Sequence, residues 1–99
     1  MVTKDEARKF LGNVPEDKKF WINNGPALSS LAELAEAFPK LNQEAFSHHV
    51  NKEKNDFSNW IKEVIGDAKL AEEISKAKTK QSALKKLKER LHSLKKVAG

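Results

Sequence analysis

Apolar residues along this chain recur mainly at helical spacing. The clearest stretch holds Phe57, Trp60, Ile61, Val64 and Ile65 at i, i+3, i+4, i+7 and i+8, the positions of one helical face. Asn55 or Asp56 stands where a cap accepts the orphan N–H groups of a new helix, and Gly66 stands where positive φ ends one. A helix over 56–65 follows, and the rest of the chain is expected to pack on it. Upstream, Thr3 and Glu6 have capping-box spacing and predict a helix over 4–11, with Ala7, Phe10 and Leu11 inward and Gly12 and Pro15 ending it. Ser30 and Glu33 repeat that spacing before Leu31, Leu34, Ala35 and Phe38, predicting a helix over 31–38 stopped by Pro39. Asn42 predicts a third helix carrying Ala45, Phe46, His49 and Val50, with Glu44 favourable beside the helix dipole. Asp67 predicts another, with Leu70, Ala71 and Ile74 on its face.

One segment breaks the helical rhythm. Phe20-Trp21-Ile22 is rich in strand formers but too short for a sheet without partners, and no other segment reads as a strand. An extended arm is expected, its aromatics plugging the helical core, with Trp21 the one least expected to be wholly buried. Asn23-Asn24-Gly25-Pro26 reads as a turn.

The last helix has a different pattern. Beginning near Thr79 or Ser82, it carries Leu84, Leu87, Leu91, Leu94 and Ala98, a heptad seam rather than a broad apolar stripe. With Leu84 and Leu91 at a, Arg90 falls at g and Lys88 and Lys95 at e. A parallel homodimer would set Arg90 against Lys95, so a self-paired coiled coil is disfavoured. The seam is expected to dock on the chain's own body, where Glu33, Glu36, Glu72 and Glu73 offer an acidic groove. Together these elements predict an all-α fold, a compact bundle of five or six short helices with a longer basic C-terminal helix. Residues 1–99 read as a single domain: an N-terminal helix and linker over 1–17, a core bundle over 18–75 and the basic helix over 76–99.

Charge sharpens the picture of that final helix. The 99 residues carry a formal net charge of +5, but residues 76–99 hold nine Lys/Arg against one acid, +8, which leaves −3 for residues 1–75. Lys85, Lys86, Lys88, Arg90, Lys95 and Lys96 surround the leucine seam, an electrostatic footprint for phosphates. The set is rich in Lys rather than Arg, which fits backbone contact without base readout. DNA or RNA is the first expected partner and an acidic protein the next. A membrane surface ranks third, because the apolar face lacks aromatics. The chain has no cysteine, no apolar run long enough to span a bilayer and no signal-peptide core, so a cytoplasmic location is expected.

Catalytic and metal chemistry find little footing. Adjacent His48 and His49 point about 100° apart on a helix. Glu44 and His48 at i, i+4 lack a third ligand, with only His92 remaining. His49 is expected half buried and His48 exposed. Glu53, Asp56 and Glu63 lie near Trp60, but Asp56 is better explained as a cap and Glu63 as an exposed partner of Lys62 or Lys69. Ser47 and Ser58 beside His48 have no third group to orient a base. No glycine-rich phosphate loop is present. The chain is expected to be no enzyme and to hold no cofactor or metal. A competing binding surface comprises His48, Asn51, Asn55 and Asn59, polar residues in excess of what capping needs, suited to a protein–protein interaction adaptor.

Phe20-Trp21 with Asn24-Gly25, Ser30-Leu31-Ala32-Glu33-Leu34-Ala35, His49-Val50-Asn51, the run from Asn55 to Ile61, and Gly66-Asp67 resemble a small helical domain family of unknown function found in archaea and bacteria. The resemblance spans about residues 18–96 and is most specific from His49 to Asp67. It implies a helical domain and a binding role, since members occur alone or appended to larger proteins. It supplies no substrate, cofactor or site residue.

Overall fold

Hydrogen bonds local to each helix start set most of the architecture of the computed structural model, which describes residues 2–23, 25–77 and 79–99. Asn24 of the expected turn and Lys78 of the basic segment lie outside the described residues. Helix α1, Lys4–Leu11, begins in a complete capping box: Thr3 Oγ1 accepts from Glu6 N at 3.1 Å, and Glu6 Oε1 accepts from Thr3 N at 3.0 Å. Helix α2, Leu31–Ala37, has only half of one. Ser30 Oγ accepts from Glu33 N, but the Glu33 carboxylate turns to Ser29, whose N–H and hydroxyl both donate to one of its oxygens, at 2.7 and 2.9 Å. Two donors on one residue outcompete the single cap N–H. Pro39 does not stop the chain abruptly; it sits inside a 3₁₀ turn, Phe38–Lys40, that tightens the helix end.

Asn42 caps α3, Gln43–His49. For α4, Asp56–Trp60, the cap is Asn55, whose Oδ1 accepts from Ser58 N at 3.0 Å. Asp56, expected as a cap, instead turns its carboxylate toward His49 and Lys54. The helix widens into a π turn over Ile61–Ile65 and ends where Gly66, at φ 93°, donates its N–H to Ile61 O at 2.8 Å. Asp67 caps α5, Ala68–Lys76, and Thr79 caps α6, Lys80–Ala98.

The extended arm is in fact half of a hairpin. Strand β1, Phe20–Trp21, pairs antiparallel with β2, Ala27–Leu28, in the register Phe20 with Leu28 and Trp21 with Ala27. Ala27-Leu28 has no strand signature of its own. It is held in place by the turn, where Ile22 N donates to Pro26 O and Gly25 N to Ile22 O, and by burial of Phe20, Ile22 and Leu28 on the inner face. Trp21 points the other way and is 67% exposed.

The architecture is thus mostly helical, with six α-helices and one two-stranded hairpin among the described residues. Phe57 lies at the middle of the core, with ring centroids of Phe20 and Phe38 each 4.9 Å away. Trp60 is buried beside them and its indole N–H donates to Lys18 O at 2.8 Å, tying the approach to β1 down onto α4. Leu31, Leu34, Ile61, Leu70 and Leu87 are buried as expected, whereas Val50 and Val64 reach the core only in part. Helix α6 docks on α1, α5 and α2. Its buried line is Ala83, Leu87, Leu91 and Leu94, with Leu84 only half-buried.

Candidate functional site

The docked leucine face fixes which side of α6 meets solvent. Lys85, Lys86, Lys88, Lys95 and Lys96 are all exposed, and among the described residues none forms an ion pair. At 1.5 Å rise per residue, positions 85–96 span about 17 Å, the rise of roughly five base pairs. Lys88 and Lys95, seven residues apart, fall on one stripe; Lys85 and Lys96 fall on a neighbouring one. Glu89, the one acid of α6, lies on the same outer side with His92. The surface is an array of exposed ammonium groups on long side chains, suited to diffuse phosphate contact.

Arg90 does not belong to it. Its Nε donates to Asp67 Oδ2 at 2.7 Å and its Nη2 to Asp67 Oδ1 at 3.0 Å, with the side chains only 10% and 1% exposed. Asp67 Oδ1 also accepts Leu70 N at 3.2 Å, so one carboxylate both caps α5 and clamps α6 against it. The planar fork of arginine satisfies a carboxylate that burial would otherwise leave uncompensated, which is why Arg90 turns inward while its lysine neighbours stay in water. Among the described residues, the acid paired with α6 is therefore Asp67, and none of Glu33, Glu36, Glu72 and Glu73 forms an ion pair with that helix. Glu33 and Glu72 of the expected groove are exposed and bonded elsewhere, to Ser29 and Lys76. Bonding to Ser29 holds the Glu33 carboxyl below its usual range, and bonding to Lys76 does the same for Glu72.

The second candidate surface loses half its members to local structure. Asn51 Oδ1 accepts from Glu53 N and Lys54 N at 2.8 and 3.1 Å, an Asx turn, and Asn55 caps α4 while its amide donates to Ile74 O at 3.3 Å. These two asparagines are not surplus to the fold. His48, Asn51 and Asn59 are exposed and Asn55 is half-buried; only His48 and Asn59 are without a part in these turn and cap bonds.

Sequence reasoning missed the pairing of the histidine next to His48. His49 is buried at 5% exposure, in ring contact with Phe20 and Phe57. Its Nε2 accepts the backbone N–H of Asn23 at 3.0 Å, and its Nδ1 lies 3.0 Å from Asp56 Oδ2, which Lys54 Nζ also approaches at 3.0 Å. Burial pushes the Asp56 carboxyl up, but the bonds from His49 and Lys54 outweigh it and hold the carboxyl below its ordinary range. Local periodicity carries no trace of this pairing, which closes across a loop and a hairpin. Asn23 also lines a cavity of about 280 Å³, with Ile22, Gly25 and Pro26 on the hairpin side and Leu41, Glu44 and Ala45 among the residues opposite. Among the described residues no three His, Asp or Glu side chains gather as a metal-holding cluster. No described helix is long and apolar enough to cross a membrane.

These features define a small, mostly helical domain with one solvated basic face and a hydrogen-bonded histidine in its core. The chain belongs to a family of unknown function, DUF5752, whose model matches residues 16–96. Neither the curated proteins nor the solved structures give a significant match.

Proposed function

We propose that this domain is a non-enzymatic binding module whose α6 contacts nucleic-acid phosphates without reading sequence, through Lys85, Lys86, Lys88, Lys95 and Lys96. The observation that carries the reading is the docking of α6 by its leucines: five lysines, without ion pairs among the described residues, stand exposed on one helix while its arginine, Arg90, is taken up internally. Mobile ammonium groups neutralise phosphates and release counterions without demanding a base pattern. If all five engage duplex DNA, log K should fall against log salt with a slope of about −4 to −5. Titration of fluorescent duplex and single-stranded DNA and RNA between roughly 50 and 200 mM salt measures this directly. Reversing the five lysines to Glu should abolish binding. Undiminished binding by that variant, or none by the native chain at low salt, removes the reading.

The competing adaptor reading rests on His48 and Asn59. Asn59→Arg should leave nucleic-acid binding intact and disrupt only a protein contact on that side.

A further inference from the structure

The His49 hydrogen bonds have a consequence independent of the basic helix. A backbone amide has no choice of role: Asn23 N–H donates, so His49 Nε2 must be an unprotonated acceptor. The ring proton then sits on Nδ1 and donates to Asp56 Oδ2. Both nitrogens of a neutral imidazole are satisfied at once, and His49 joins the β1–β2 turn to the start of α4.

We propose that His49 is a proton-operated latch on the β1–β2 turn, releasing the Asn23 wall of the 280 Å³ cavity on acidification while the helical core stays folded. A second proton can enter only at Nε2, where the new N–H would face the Asn23 N–H. Donor against donor breaks that bond and repels the turn. The bond on the other nitrogen responds in the opposite sense, because a charged imidazolium holds the Asp56 carboxylate more strongly than a neutral ring does. Protonation therefore exchanges one anchor for another: the ring stays fixed to α4 and the turn is let go.

The groups facing the ring fit this division of labour. Asp56, at the start of α4, favours the proton; Lys54, on the same carboxylate oxygen, and His48, with its ring centroid 4.9 Å away, oppose it. Phe20 from β1 and Phe57 from α4 bring only aromatic surface. Two features keep the release local. Trp60 Nε1 holds Lys18 O before β1, and the bonds of Ile22 and Gly25 are internal to the turn, so Asn23 can part from His49 while Phe20 and Leu28 stay in the core.

Nitrogen-15 NMR on the native chain tests the latch without any substitution. The two ring nitrogens report the tautomer and its protonation, and the Asn23 amide reports the bond through its shift and its exchange protection. The expected result is an Nδ1–H tautomer at neutral pH. Protection at Asn23 should then fall by roughly three- to tenfold, in step with protonation of His49, while the amides of Phe57 and Ile61 keep theirs. His49→Gln, which does not titrate, should remove the pH dependence of the Asn23 amide. The latch is overturned if Asn23 stays protected while His49 becomes charged, if all amides lose protection together, or if a folded His49→Gln variant keeps the response. Should that variant fail to fold, the native-chain titration decides alone.

Discussion

Neutralising the buried carboxylate with Asp67→Asn tests the clamp between α5 and α6 most sharply. Asparagine keeps the size of the side chain and an oxygen able to cap Leu70 N, so α5 retains its start and only the charge is lost. Arg90 is then left 10% exposed against a neutral amide, its two charge-assisted bonds at 2.7 and 3.0 Å gone or weakened. Breaking a buried pair from one side costs about 3–5 kcal/mol, whereas a surface pair is worth at most about 1. A chain of this size has roughly 5–15 kcal/mol in total, so the loss should be plain in urea unfolding followed by helical circular dichroism. The conservative pair Asp67→Asn with Arg90→Met completes a double-mutant cycle. The double variant should recover much of the loss, since neither charge is then stranded, and the coupling should be on the order of 1–3 kcal/mol. Single losses below about 1 kcal/mol with no coupling would refute the view that this pair behaves as a buried one. The same cycle bears on binding: Arg90→Met, measured where it is folded, should leave the salt slope of nucleic-acid binding unchanged, while Lys88→Ala should reduce it by about 1.

Other substitutions probe other joints of the fold. Gly66→Ala should cost about 1–2 kcal/mol in the same unfolding assay, because φ is 93° there; the nearest side-chain atom, 3.6 Å from an added Cβ, leaves ordinary room, so strain alone is at issue. Ser58→Ala should cost about 1 kcal/mol by removing the buried bond from Ser58 Oγ to Ala71 O at 2.7 Å, which joins α4 to α5. Asp56 has its folded carboxyl held below the unfolded value, so its contribution is present above the ordinary carboxylate range and fades as pH falls through the lowered folded value. Unfolding midpoints measured down that range should show this dependence, and Asp56→Asn should flatten it.

How much of this molecule is legible in its sequence follows from the range of the interactions involved. The helix starts at Thr3, Asn42, Asp67 and Thr79 depend on a side chain meeting a backbone N–H two or three residues on, and that geometry is written in consecutive positions. The same holds for the apolar faces, for the stop at Gly66, for the exposure of Trp21 and for the lysines on the outer side of α6. Competition among near-equivalent local partners is less legible: Asn55 rather than Asp56 caps α4, and Glu33 chooses Ser29. Tertiary structure alone decided the rest. Ala27-Leu28 becomes a strand only because Phe20 and Leu28 share a buried face. Arg90 leaves the solvated basic set only because Asp67, 23 positions away in sequence, lies within 2.7 Å of it. His49 acquires its two partners, 26 and 7 positions away, only when the hairpin closes over α3 and α4. Charge and periodicity decide which residues seek water or the core; they do not say which buried donor will find which acceptor, because that depends on where the chain returns.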